Sequence, residues 1–191
     1  LYGDRGDERL TEASAPGVGF LADVVRKWER ATVPAAEAGV RVVNTRFGLV
    51  LSPKGGVLGQ MLTPFKLGVG GPVAGGGQYM PWIHIDDVTG MYLRALDDAS
   101  FSGPVNVSAP EPVTNKEFSK ALGRALHRPS FAPVPKLALK ALYGEMSEIV
   151  VEGQRAVPAR ALALGYQFRH PDLDEALRAD LQNAQMLMRM A

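Results

Sequence analysis

The chain has 191 residues, 46% of them hydrophobic, and its 21 basic and 20 acidic side chains leave a net charge of +1. That balance gives no electrostatic footprint for nucleic acid or an anionic membrane, and no apolar run approaches the ~20 residues that cross a bilayer. The absence of cysteine excludes disulfides, thiolate metal sites and cysteine catalysis, and the three histidines, His84, His127 and His170, lie too far apart in sequence to suggest a metal motif.

The first residue is Leu, and residues 1–18 read as a Gly- and acid-rich loop of the kind found inside a domain, so a fragment with its beginning missing is expected. With no signal peptide in view, the default compartment is the cytoplasm. A helix is expected over 19–32, where Leu21, Val24, Val25, Trp28 and Ala31 recur at helical spacing. Pro34 limits it and Gly39 ends a short continuation. The β-branched run 40–45 suits a buried parallel strand. A loop at 52–56 then leads into a short helix over 57–65. Six glycines in residues 68–77 predict a flexible loop or a set of strained turns.

Apolar and polar residues alternate through Trp82, Ile83, His84 and Ile85, the pattern of a half-buried strand. Asp86 can cap the helix that follows and Asp87 suits its positive end, with Val88, Met91, Tyr92 and Leu96 along one side. Trp82 and His84 share a strand face. They are either a half-buried pair with His84 bonded to backbone, or, if His84 lines a pocket, His84 is the best proton donor the chain offers. A short strand is expected at 104–107. Thr114 followed three residues later by Glu117 signals a helix start, with Phe118, Leu122 and Leu126 on its inner face. Pro129, Pro133 and Pro135 make the next link stiff. Short helices near 136–143 and 145–153 follow, then a turn at Pro158, a helix over 159–164 and a turn at 165–168. The final helix opens at 171–174, with a frayed tail over 181–191.

Four blocks taken together resemble one known family. They are Tyr2-Gly3-Asp4-Arg5-Gly6-Asp7-Glu8 with Leu10-Thr11-Glu12; Arg46-Phe47-Gly48-Leu49-Val50-Leu51 with Gly55-Gly56; Gly70-Gly71-Pro72 through Met80-Pro81-Trp82-Ile83-His84-Ile85-Asp86-Asp87; and Glu152-Gly153-Gln154-Arg155 with Leu164-Gly165-Tyr166. In order, they look like the C-terminal two-thirds of an extended short-chain dehydrogenase. More narrowly they resemble the atypical, NADP-binding, epimerase-like group with an extra small C-terminal domain. The resemblance implies an α/β fold: a truncated Rossmann-type parallel sheet over residues 1–128 and a small, mostly helical substrate-side lobe over 129–180. It implies NADP as cofactor, with NAD not excluded, and a small hydroxyl, carbonyl or sugar-like substrate. In such proteins a Gly-rich turn in the first βαβ unit places the cofactor pyrophosphate at a helix N-terminus. No strand–GxxGxxG–helix occurs in these 191 residues, so the chain alone is expected to fold poorly or to bind cofactor weakly.

On the same resemblance, Arg46 reaches NADP from the end of its strand and Phe47, Gly48 and Leu49 lie beside the nicotinamide; the plainer alternative is that Arg46 salt-bridges a nearby acid. Trp82, Asp86, Glu152 and Gln154 would face the substrate, although for Glu152 and Gln154 an exposed surface role is equally open. The face of helix 19–32 is either core or a homodimer surface. Two departures matter. The family's Tyr and Lys, four residues apart, should sit eight and four residues before the acid Glu29, yet those places hold Leu21 and Val25. The Arg-Asp that grips a sugar-nucleotide diphosphate is replaced by Met80-Pro81, which forfeits a charge-assisted contact. Lys66 and Arg155 are the remaining basic groups for an anion, against a plain surface role. A cofactor-binding protein without turnover, acting as a sensor or partner, is therefore the rival reading.

Overall fold

The computed structural model describes residues 1–52, 55–134 and 152–190, with side chains through Gln182 in the last helix. In chain order the elements are β1 (Arg9–Leu10), α1 (Phe20–Ala31), α2 (Val33–Glu37), β2 (Val43–Phe47), β3 (Leu49–Leu51), α3 (Gly56–Lys66), β4 (Tyr79–Met80) and β5 (Trp82–His84). There follow α4 (Ile85–Asp97), β6 (Gly103–Val107), β7 (Val113–Thr114), α5 (Asn115–Leu126), β8 (Arg155–Ala156), α6 (Ala159–Ala163) and α7 (Leu173–Met190). The expected helix at 136–143 and most of that at 145–153 lie outside the described residues, and Glu152 and Gly153 are not helical. The last helix continues to Met190, past the point where fraying was expected.

Strand pairs β1–β8, β2–β6 and β3–β5 are parallel, and β4–β7 is antiparallel. Parallel pairing needs crossovers, and helices supply them. The strand that starts at Val43 changes partner at Gly48. Before it, Val43 through Phe47 pair with β6; after it, Leu49 lies opposite Trp82 and Leu51 opposite His84. The exchange is made by backbone bonds, Gly48 N to Val107 O at 3.0 Å and Leu49 N to Pro81 O at 2.6 Å. It requires glycine: a Cβ at position 48 would sit 2.2 Å from the Pro81 carbonyl oxygen.

β5 divides the interior. Trp82 packs with Leu51, Leu58, Phe118 and Leu177, while Ile83 packs with Val88, Met91, Phe101 and Val107. The strand expected to be half-buried is therefore buried on both faces, because α5 and α7 cover one side and α4 the other. β2 differs in the opposite sense. Expected to be buried, it is only half-buried and ends on an exposed Phe47, because β6 is its sole strand partner among the described residues. For the same reason Tyr92 and Leu96, placed on the packed side of α4 by spacing, are exposed, while Val88 and Met91 are buried. Thr114 and Glu117 form the full capping box of α5, each side chain meeting the other's backbone amide. The glycine-rich stretch is a set of turns, with Gly68, Gly75 and Gly76 at positive φ. Among the described residues no helix is long and apolar enough to cross a membrane.

Candidate functional site

At the carboxyl end of β2 the Arg46 guanidinium lies between α1 and the first loop. Its Nε and Nη2 donate to the two Glu29 carboxylate oxygens at 2.7 and 2.8 Å, and Nη1 donates to the Tyr2 hydroxyl at 2.8 Å and the Glu12 carbonyl at 3.3 Å. The plainer expectation for Arg46, an ion pair with a nearby acid, is thus present. Tyr2 in turn donates to Asn106 Oδ1 at 2.7 Å, and burial pushes its phenol up despite the opposing pull of Arg46. Glu12 closes the arrangement, its carboxylate accepting the amides of Asn106 on β6 and Arg160 on α6. Phe47 points away from this group; its half-exposed ring stacks against Tyr92 with centroids 6.0 Å apart.

The Trp82–Asp86 ribbon lies directly beside this strand end through the β3–β5 ladder. Trp82 is buried, donates Nε1–H to the Glu111 carbonyl, and lines a cavity of about 370 Å³ with Glu117, Ala121, Arg124, Pro171 and Leu173. A larger cavity, about 560 Å³, lies at the far end of α5 around Lys120, Arg124, His127 and Arg128. It touches none of the candidate cofactor or substrate residues read from the sequence. Gln154 donates its amide to the Tyr79 carbonyl at 3.2 Å, which lays residues 152–154 against β4 with Glu152 exposed. Arg155 sits over the Tyr79 ring and donates to the Asp7 carbonyl, which gives it a structural contact rather than an anion.

The sequence placed the helix cap two residues too late. His84, not Asp86, is the N-cap of α4, its Nδ1 accepting the Asp86 amide at 3.1 Å. His84 is only 1% exposed and lines neither cavity. Its Nε2 faces the buried Asp180 carboxylate of α7 at 3.2 Å, and its ring stacks on His170 with centroids 3.8 Å apart. Burial works against a charged His84, but the facing Asp180 carboxylate, with Asp86 and Asp87, outweighs it and raises its pKa. Asp87 is fully buried and accepts the amides of Arg169 and His170 at 2.7 and 2.9 Å, which fixes the loop before α7 against α4. Asp180 was not singled out from the sequence, and His170 was named there only as too distant from His84 to suggest a metal motif, whereas the fold brings the two rings together. Asp180 had a signal: with Ala176, Leu177 and Leu181 it occupies one helical face that is otherwise apolar.

A family described as a domain of unknown function, DUF1731, matches residues 134–179. The chain is 43% identical over 177 residues to the epimerase family protein Mb2239 of Mycobacterium bovis, covering 92% of the chain and 59% of that protein. It is 45% identical over 160 residues to the mouse epimerase family protein SDR39U1, covering 83% of the chain and 54% of that protein. The crystal structure of human epimerase family protein SDR39U1 with NADPH superposes with a TM-score of 0.87 at 38% identity, over 95% of this chain and 62% of that one. Over the length it spans, the chain belongs to this epimerase family. Its fold is the Rossmann-like α/β fold of these epimerase-family proteins, in agreement with the resemblance carried by the four sequence blocks. The chain spans a little over half the length of the curated relatives it matches, 59% and 54% for the two named. The DUF1731 match falls inside the stretch 129–180 expected to form the small C-terminal unit.

Proposed function

We propose that residues 46–49 form the nicotinamide-facing wall of an NADP(H) site in an epimerase-like oxidoreductase. Open α/β sheets hold ligands at the carboxyl ends of their strands, and this segment is such an end. One observation carries the reading. At Gly48 the strand changes partner, and beside it the Phe47 ring, 48% exposed, presents an apolar plate backed by Tyr92. These residues fit a flat, partly apolar ring. That human epimerase family protein SDR39U1 was crystallised with NADPH supports the same assignment.

Arg46 uses four of its five N–H groups internally, so its main part is to hold the strand end, with one Nη2 proton left for a cofactor oxygen. Leu49 follows on the same backbone. A nicotinamide bound here would exchange hydride with a small hydroxyl, carbonyl or sugar-like substrate. Trp82, Asp86, Glu152 and Gln154 form the substrate side of the reading. Buried His84 positions Asp86 through the helix cap, and the exposed Asp86 carboxylate, 3.4 Å from His170 Nε2, is the group in a place to hold a proton. The partners in this reading are small molecules, its setting is the cytoplasm expected from the sequence, and two copies pair through the exposed Phe20, Leu21 and Trp28 of α1.

A second reading, binding without turnover, is favoured by one specific observation: Leu21 and Val25 leave α1 without the phenol and ammonium that do proton work in short-chain dehydrogenases. Titrating the chain with NADPH and following cofactor fluorescence tests the binding both readings share. Saturable binding, however weak, that is lost in Gly48→Val supports it; no saturation at millimolar NADPH overturns it. Incubation with a panel of aldehydes, ketones and sugars separates the two readings. Substrate-dependent catalytic loss of NADPH leaves only the oxidoreductase, and its absence leaves the binder.

A further inference from the structure

We propose that His84, Asp86 and His170 form a binding site for one divalent transition metal of the zinc, cobalt or nickel class, oriented from behind by Asp180. One ligand atom from each of the three lies within 4.8 Å of the others. The sequence hides the group, because His84 ends β5, Asp86 lies in the first turn of α4 and His170 arrives on the loop before α7. Asp86 Oδ2 sits between the two imidazoles, 3.7 Å from His84 Nδ1 and 3.4 Å from His170 Nε2.

What distinguishes this group from a chance surface cluster is how it is held. Ligating histidines typically offer their second ring nitrogen to a carboxylate, which fixes the tautomer and aims the free lone pair at the metal. His84 has such a carboxylate behind it: both side chains are buried, and Nε2 faces Asp180 Oδ1 at 3.2 Å, leaving the Nδ1 lone pair on the side of Asp86. Among the described residues neither His84 Nε2 nor Asp180 Oδ2 has a well-formed hydrogen bond, so the two buried groups face each other with polar capacity to spare. A second buried carboxylate, Asp87, clamps the amides of Arg169 and His170 and so fixes the backbone that carries the third ligand.

Two imidazoles and a carboxylate, with no thiolate, select metals of the imidazole-binding class rather than magnesium or copper(I). His170 and Asp86, 21% and 50% exposed, give the ion an entry path and leave room for water ligands. Coordination takes the His84 lone pair now used by the Asp86 amide, and it turns His170 out of its stacked position; the first-turn amide then faces solvent. The bound ion ties β5, α4 and the loop before α7 together. This inference does not depend on the NADP(H) reading.

The test uses the purified 191-residue chain and Co2+ alone, followed by visible d–d absorption. One equivalent of Co2+ is expected to bind and to be displaced by Zn2+. His170→Ala, which removes a partly exposed ligand, is expected to abolish the signal while its circular dichroism stays that of the parent. His127→Ala is expected to change nothing. Asp180→Asn is expected to weaken binding by roughly 10- to 100-fold. No cobalt spectrum from the folded chain, or an equal spectrum in His170→Ala, overturns the proposal. NADPH titration of His170→Ala keeps the two claims apart, since unchanged NADPH binding is expected whether or not the metal site exists.

Discussion

Arg46 and Glu29 meet in a two-pronged pair, Nε to Oε1 at 2.7 Å and Nη2 to Oε2 at 2.8 Å, that fastens the end of β2 to α1. The pair is mostly shielded, with side chains 13% and 24% exposed, so removing the cation strands a desolvated carboxylate and the Tyr2 hydroxyl. Arg46→Met is expected to cost roughly 2–4 kcal/mol, less than for a fully buried pair, in urea unfolding without any cofactor. Unchanged stability would mean that Arg46 is not holding the strand end.

Gly48→Ala is expected to destabilise by about 1–3 kcal/mol, in the range of overpacked interiors, because the new methyl meets the Pro81 carbonyl at 2.2 Å and must part β3 from β5. Urea unfolding checks this as well. A control at Gly59 inside α3, where a Cβ meets nothing within 4 Å, is expected to be neutral or slightly stabilising when changed to Ala.

Thr114→Ala removes half of the capping box of α5 and is expected to cost about 1 kcal/mol in thermal or urea unfolding. The loss is local, so the Arg46 and Thr114 effects are expected to add in the double variant.

Tyr166 supplies a pH dependence. Its phenol is pushed up to about 12, first by burial and then by Asp87, to whose carbonyl it donates at 3.1 Å. The unfolded phenol ionises near pH ~10. Between these values the folded state holds the proton that the unfolded state has released, so stability falls as pH rises from ~10 towards the folded value. Tyr166→Phe is expected to flatten part of this alkaline loss, measured as urea midpoints at intervals above pH ~9.

What could be read directly from the sequence was what residues decide locally. The cap at Thr114, the stop at Gly39 and the extent of α1 depend on neighbours within a turn, and each is where spacing places it, although Leu21 and Trp28 of the α1 stripe are exposed. Burial was less legible, because it depends on what covers an element. Trp82 is enclosed only because α5 and α7 arrive from later in the chain, and β2 is open because one edge has no strand partner among the described residues. The candidate site shows the same division. Arg46 and Glu29 were both singled out, but their pairing needs β2 laid against α1. His84 was read as sharing a face with Trp82, whereas its cap and its approach to Asp180 follow from strand β5 ending one residue early and α7 folding back 96 positions later. Glu12 was quoted in the first sequence block, but nothing near it in the chain foretold its reach to both β6 and α6.

The central claim, that residues 46–49 face a nicotinamide cofactor, is tested most directly by NMR of the isotopically labelled chain titrated with NADPH. The account predicts saturable shifts of the Phe47, Gly48 and Leu49 amides and of the Trp82–Asp86 ribbon, with the Lys120–Ser130 region unmoved. Shifts confined to the basic hollow at the end of α5, or none at millimolar NADPH, would contradict it.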